Sequence, residues 1–159
     1  SAPCTLSGGD VLTTLGGGAR PGVSPLAYPI DLVDVRLDDD RRFTSVAHVI
    51  AHNALWRGQF LVAMNAAWVG RLYLGPRSHP NDGLVDVTTG SLPWQQRLMA
   101  RRRAATGSHL PHPRLRATRT AAFEYGFDRP TPVWIDGMAR GRARRLSLEV
   151  IPDAGVVVV

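Results

Sequence analysis

Short stretches in which apolar and polar residues alternate run through most of the chain. The clearest is residues 30–37, IDLVDVRL, whose period of two is that of a half-buried antiparallel strand. Clusters of Gly, Pro and Asp separate it from later apolar runs, as turns separate strands. We expect strands at residues 30–37, 43–55, 60–65, 66–74, 84–89, 114–125, 131–137, 139–152 and 156–159. Strands at this spacing predict an antiparallel β-sandwich or barrel.

One longer segment, residues 91–106, has the character of a helix. Ser91 can cap its N-terminus, Pro93 suits the first turn and Gly107 can end it. Its predicted apolar stripe consists of Leu92, Leu98 and Met99. A shorter helix is expected after Asp10. The sequence therefore predicts a mainly β protein with one or two helices.

Residues 1–29 are rich in Gly, Ser, Thr and Pro and contain a loop before the short helix. Gly8 and Gly9 precede Asp10, which suits the N-cap position. Free amide groups in such a loop can hold an anion. Neither the dinucleotide fingerprint nor the Walker pattern with its Lys is present, so these residues alone favour a simple helix cap.

The loop at residues 75–87, GPRSHPNDGLVDV, is the most informative turn of the chain. Asp82 and Gly83 are typical turn residues, because both tolerate the left-handed backbone region. The carboxylates of Asp82 and Asp86 could converge with backbone oxygens on a hard cation. They could equally be solvated side chains of an ordinary hairpin, which the residues alone favour.

Two pairs of histidines are weaker candidates for a site. His48 and His52 are four residues apart, the spacing of a metal pair on a helix, but residues 43–55 suit a strand at least as well. We interpret both as structural or surface residues. His109 and His112 flank a proline in a loop, which removes the helical geometry of a zinc site.

Charge indicates the kind of partner. The 159 residues include 19 Arg and no Lys against 13 acidic residues, a net charge of +6, which favours phosphorylated ligands, acidic lipid surfaces or nucleic acid. Nucleic acid ranks last because no recognition motif accompanies the charge. A lone Cys4, no signal peptide and no apolar run of ~20 residues favour a cytoplasmic protein.

Four segments together resemble the diacylglycerol kinase and sphingosine kinase-like lipid kinases. HPNDGLVDV is similar to that family's proline-then-DGLLDV motif, and LPWQQRLMARRRAATG followed by SHLPHPRLRATR to its helix, Gly-His and strand. PVWIDGMARGRARRLSLEVIP is similar to its DGE turn with the flanking strands, and SGGDVLTTLG to its GTGNDxxRTLG segment. The order and spacing agree from about residue 5 to the end.

The resemblance implies an antiparallel β-sandwich with the site residues of the family's C-terminal domain. Asp82 would bind Mg²⁺ through its carboxylate, with the backbone carbonyls of His79 and Leu84 as further ligands. Asp136 matches the Asp of DGE, in the turn thought to activate the lipid hydroxyl. Met138 replaces the Glu of that motif, and a thioether cannot take a proton.

Gly8, Gly9 and Asp10 match the family's nucleotide-side GTGND segment, with Gly9 in place of its Asn. The resemblance thus divides the chain into residues 1–29, a linker or the end of a nucleotide-binding domain, and residues 30–159, the sandwich. The family's GGDGT loop for ATP does not occur in the sequence.

Two functions follow from this resemblance. One is a pseudokinase or binding module for a lipid or another anionic ligand, and the other is the active part of an ATP-dependent lipid kinase whose ATP-binding segment lies upstream or in a partner. Peripheral contact with the inner membrane face and a homodimer are the further expectations.

Overall fold

The computed structural model describes residues 3–17, 24–38, 40–108 and 112–159. Two helices are present in these ranges, Asp10–Thr14 (α1) and Trp94–Ala104 (α2), and Ala54–Trp56 forms a tight turn. The strands are Cys4–Thr5 (β1), Ala27–Leu37 (β2), Arg41–Ser45 (β3), His48–Ala51 (β4), Gln59–Met64 (β5), Trp68–Val69 (β6), Leu72–Tyr73 (β7), Val85–Ser91 (β8), Leu115–Thr120 (β9), Ala122–Ile135 (β10) and Met138–Val158 (β11).

One mainly antiparallel sheet contains nine of the strands in the described ranges. Its order is β3-β2-β11-β10-β4-β5-β8-β9, and β1 adds to β11 in parallel, while β6 and β7 form a separate ribbon. In β2, Asp31 contacts the loop just before β8, although four strands separate β2 from β8 in the sheet. The sheet therefore folds over itself, and the predicted antiparallel sandwich with two helices is confirmed.

The core between the layers is built from the alternating positions of the long strands. Side chains from β2, β4, β5, β8, β10 and β11 form one buried cluster. Its fully buried members include Leu37, Leu61, Ile135 and Leu146. Alternation places every second side chain on one face, so the sequence pattern and the core agree.

The sequence predicts breaks between strands at residues 126–130 and 153–155, but both are bulges within continuous strands. β10 runs through Gly126–Pro130 with a shift of register against β11 between Gly126 and Thr131. β11 runs through Ala154 and Gly155, with a second shift against β2 between Ile151 and Gly155. A bulge uses the same Gly and Pro residues as a turn, because both need irregular backbone. The terminal valines pair with β1 and β2, as a buried final strand requires.

The helix predicted at residues 91–106 is shorter and faces differently. Ser91 belongs to β8 and Pro93 occupies the N-cap position without a side-chain cap bond, so the predicted Ser91 cap is wrong. Gly107 follows the helix at a φ of 70°, as expected. Of the predicted stripe only Leu92 is buried; Leu98 and Met99 are 50% and 51% exposed.

The first described segment packs on the sandwich. Cys4 of β1 pairs with Val157 of β11, and Val11 of α1 forms a small buried cluster with Ala47 and Ala66. The amide of Ala67 donates to the Thr14 hydroxyl over 2.9 Å. The predicted boundary at residue 29 itself stays a prediction, with β2 already starting at Ala27. No helix in the described ranges is long and apolar enough to cross a membrane.

Candidate functional site

An apolar cavity of about 540 Å³ lies between α2 and the sheet. Its sheet-side wall comes from β5, β8 and β9, and α2 covers it. The lining includes Trp56, Phe60, Val62, Leu92, Ala100 and Leu115. Among the described lining residues, the cations are Arg97 and Arg101, both on α2. Cavities of this size and character hold small ligands.

A second cavity of about 700 Å³ adjoins the first and is more polar. The two share Leu74, Thr88 and Leu115 in their linings. Polar groups of this second space include Arg77, Asp86, His112 and Thr118. The Asp86 carboxylate accepts from the Ser78 hydroxyl over 2.8 Å and lies 4.0 Å from the Arg77 guanidinium. The two cavities are thus neighbours that share part of their walls, and we refer to them together as the cleft.

The loop before β8 is held by a buried carboxylate that the sequence interpretation did not single out. Asp31 is only 1% exposed and accepts from the amides of Asp82 and Gly83 over 2.9 and 2.7 Å. Its other oxygen accepts from the amide of Asp153 over 3.0 Å. Hydrogen bonds to a charged group are among the stronger ones in proteins. The sequence signal that could have identified Asp31 is an acidic residue within a mainly apolar strand.

The carboxylate of Asp82, the predicted Mg²⁺ ligand, is engaged within the chain, and the cation site stays a prediction. One carboxylate oxygen of Asp82 accepts from the amide of Leu84 over 3.0 Å, and the other is paired with the guanidinium of Arg119. His79 is exposed. No group of three or more His, Cys, Asp or Glu side chains suited to a metal occurs in the ranges described. Because Mg²⁺ needs the carboxylate that the guanidinium holds, these residues do not fit the ion without displacement of Arg119.

Asp136, the predicted catalytic base, has its carboxylate engaged by the chain. It follows β10 at a φ of 48° and accepts from the Ser45 hydroxyl and from the amides of Val46, Ala47 and His48. These four contacts are 2.8 to 2.9 Å long. Three of these donors reach Oδ1 and one reaches Oδ2, so the carboxylate joins two turns and is largely engaged within the chain. Its catalytic role stays a prediction.

His48 links the two acids that the motifs selected. Its ring is 6% exposed, with Nδ1 3.6 Å from Asp10, and lies near Asp136. Burial lowers the pKa of His48, while the charges of Asp136 and Asp10 oppose that shift. The ring is therefore neutral near pH 7. Asp10 and Asp136 thus both lie near a buried imidazole that the sequence predicted to be structural, and their roles in a site stay predictions.

The predicted nucleotide-side residues lie apart from the cleft linings. Gly8 and Gly9 are exposed, and Gly9 rather than Asp10 is the N-cap of α1, so the predicted Asp10 cap is wrong. Asp10 instead accepts from the amide of Gly70 over 2.8 Å. The anion-binding role of this loop stays a prediction.

The other predicted loop and strand histidines have separate positions. His52 is stacked between Trp56 and Trp134, with ring centroids 4.2 and 4.6 Å away. His112 lines the polar cavity, and His109 lies outside the described residues. A sequence motif does not mark the cleft itself, because its lining comes from strands and a helix far apart in the chain.

Comparison with known proteins supports the fold. The sequence matches no family model and no curated protein. A solved structure of a Bacillus anthracis str. Sterne protein assigned as a diacylglycerol kinase has a TM-score of 0.59 and 7% identity, covering 83% of this chain and 55% of its own. Another with the same assignment has a TM-score of 0.58 and 7% identity, covering 83% and 57%. The chain is similar in fold to little more than half of each protein.

Proposed function

We propose that this lipid-kinase-like domain binds an amphipathic lipid with an anionic head group. The observation that carries the proposal is the pair of adjoining cavities, an apolar one under α2 and a more polar one beside it, which share Leu74, Thr88 and Leu115. Such a shape matches a ligand with a hydrocarbon tail and a charged end. The proposal agrees with the positive charge of the chain and with its fold.

The lipid tail occupies the apolar cavity. Phe60, Val62 and Leu92 supply a hydrophobic wall. Trp56, the last residue of the turn Ala54–Trp56, lines the same cavity. Burying a methylene group there is worth roughly 0.8 kcal/mol, so a chain of several carbons has sufficient driving force. Thr88 belongs to the shared part of the cleft, where the tail meets the head group.

The head group occupies the polar cavity. Arg77 offers a guanidinium whose nearest acid, Asp86, is 4.0 Å away and already accepts from Ser78. A phosphate can therefore compete for Arg77 through charge-assisted hydrogen bonds. The imidazole ring of His112 lines the same space and adds further nitrogen atoms to it. A phosphorylated head is preferred over a neutral one for this reason.

The experiment is a binding titration with a fluorescent lysophospholipid, as its phosphate and as a neutral-head analogue of the same chain. Ala100→Phe fills the apolar cavity and is expected to weaken binding of both probes roughly tenfold. Ala105→Phe, at an exposed position just after α2, is the matched control and leaves binding unchanged. Arg77→Gln weakens the phosphate probe alone. If Ala100→Phe binds each probe as tightly as the wild-type chain does, the proposal is refuted.

The second candidate is phosphoryl transfer to a diacylglycerol-like hydroxyl, favoured by the fold likeness to proteins assigned as diacylglycerol kinases. ATP would supply the phosphoryl group and Mg²⁺ its charge neutralisation, and Asp136 would be the base. The engaged carboxylate of Asp136 makes us rank this function second. Labelled ATP with Mg²⁺ and diacylglycerol tests it, and turnover above an Asp136→Asn control would reverse the ranking.

A further inference from the structure

The outer side of α2 and the neighbouring turn expose large apolar side chains. Leu55, in the turn Ala54–Trp56, is 74% exposed, and Trp94 at the start of α2 is 67% exposed. Leu98 and Met99 add two half-exposed side chains. We call Leu55, the exposed face of α2 and its arginines the α2 surface. Trp94 and Leu98 are one helical turn apart and lie on the same face.

The position of Leu55 is fixed by its surroundings. The backbone of Leu55 and of Trp56 is left-handed, with φ values of 53° and 57°, which is unfavourable for these residues. The Arg97 guanidinium of α2 donates to the Leu55 carbonyl over 2.6 Å and holds the turn against the helix. The Trp56 ring is anchored on His52. The turn therefore presents an apolar side chain to solvent from a defined backbone.

The two chain segments that form this region carry charged side chains of one sign. Residues 52–60 and 91–108 contain five arginines and no Asp or Glu. The five are Arg57, Arg97, Arg101, Arg102 and Arg103. Arg101, Arg102 and Arg103 are exposed in the last turns of α2, where no acidic partner is at hand on the helix. A long arginine side chain can lay its methylenes on an apolar layer while its guanidinium reaches phosphate groups.

We propose that the α2 surface docks on an anionic membrane surface. Leu55, Trp94 and Leu98 enter the boundary between head groups and acyl chains, and the arginines pair with lipid phosphates. Tryptophan favours that boundary, and arginines near an anionic bilayer are attracted to its surface charge.

The inference goes beyond the proposed lipid cleft, since docking does not require a lipid inside the cavity. Leu55, Leu98 and Arg101 belong to both the α2 surface and the cavity lining. Docking would therefore place the cavity next to the bilayer that holds its ligand. A protein partner is disfavoured because the apolar side chains are interspersed with arginines of uniform charge, whereas interface centres are depleted of charge.

The test is cosedimentation of the whole chain with vesicles of phosphatidylcholine alone or with 30% phosphatidylglycerol, a composition chosen to give roughly the charge of an anionic membrane. We expect binding to the anionic vesicles only. Salt at 0.5 M should weaken it, because the Debye screening length shortens to roughly 4 Å. Leu55→Ser/Trp94→Ser should lower the partition coefficient roughly tenfold or more. Arg102→Gln/Arg103→Gln should lower it and reduce its salt dependence.

Matched variants make the result specific. Met138→Ser/Ile151→Ser removes two other exposed apolar side chains, and Arg114→Gln/Arg116→Gln removes two other exposed arginines. Both should bind as the wild-type chain does, and so should the cavity variant Ala100→Phe, which separates docking from the proposed function. Failure of the wild-type chain to bind, or equal loss in both sets, overturns the inference. So does a wild-type dimer that Leu55→Ser/Trp94→Ser converts to a monomer.

Discussion

The two hydrophobic regions of this molecule differ in how completely they are filled. The core between the sheet layers contains side chains such as Leu61 and Leu146 that are fully buried and packed on all sides. The cluster under α2 has four buried members, Phe60, Val62, Met64 and Leu92, and adjoins a cavity of about 540 Å³. The first region is close-packed, as protein interiors usually are, and the second is not.

This difference separates stability from function. Dense packing between the layers supplies the apolar burial on which the fold depends. An unfilled apolar space under a helix costs stability, because its lining lacks contacts. This unfilled space, beside a second and more polar cavity, is where we propose that a ligand binds. We therefore expect a truncation in the sheet core to cost more stability than a truncation beside the cavity.

Truncation in the sheet core should have the largest effect. Leu146→Ala removes a fully buried side chain and is expected to lower the free energy of unfolding by about 3 kcal/mol. Leu92→Ala, beside the existing cavity, should cost about half as much, because fewer surrounding atoms lose contact. Urea denaturation of both variants measures the comparison. Equal losses would mean that the region under α2 is packed like the core.

The turn beyond β10 should be the next most sensitive position. Asp136→Ala leaves the amides of Val46, Ala47 and His48 without their acceptor, and a loss of about 2–3 kcal/mol is expected. Asp40→Ala, an exposed acid of the same chain with a weak contact to Arg41, is the control and should change stability little. A thermal midpoint unaffected by Asp136→Ala would show that its hydrogen bonds are dispensable and would favour the catalytic interpretation.

The pH dependence should come next in size. Burial lowers the pKa of His48 in the folded chain, so the unfolded chain takes up the proton first as the pH falls. Stability from this group is complete above about pH 6.5 and declines below it, down to the folded pKa. His48→Gln should reduce the decline of the thermal midpoint between pH 7 and 5, whereas His112→Gln should leave that decline as it is in the wild-type chain. The same decline in both variants would contradict the assignment.

Loss of the Asp82–Arg119 ion pair should have the smallest effect. Arg119→Ala removes a partly exposed pair and is expected to cost about 1 kcal/mol or less. The wild-type midpoint should be the same in Mg²⁺ and in chelator, because the guanidinium occupies the Asp82 carboxylate. A Mg²⁺-dependent wild-type midpoint that Asp82→Ala abolishes would instead support the cation site implied by the family resemblance.

The sequence predicted what depends on local pattern. Alternation located the sheet, and Asp82-Gly83 marked a turn, with Gly83 at a φ of 71°. Local pattern failed where tertiary pairing decides: the Pro and Gly residues at 126–130 form a bulge because β11 pairs on both sides of them. Leu98 and Met99 fit a helical stripe, but the sheet packs against another face of α2.

The site was less predictable than the fold. Motifs selected Asp10, Asp82 and Asp136, and the structure gives each a partner within the chain. The cleft depends instead on Trp56 and Leu115, which are 59 positions apart and come together only when the sheet forms. No single-sequence pattern encodes the empty space between them.

The most direct test of the central claim is fluorescence quenching by a lysophospholipid brominated along its acyl chain. Trp56 lines the apolar cavity, whereas Trp68 lies in the separate β6–β7 ribbon. We predict saturable quenching that Trp68→Phe retains and that Trp56→Phe largely removes. Quenching that is absent in the wild-type chain, or unchanged by Trp56→Phe, would contradict a lipid in the cavity under α2.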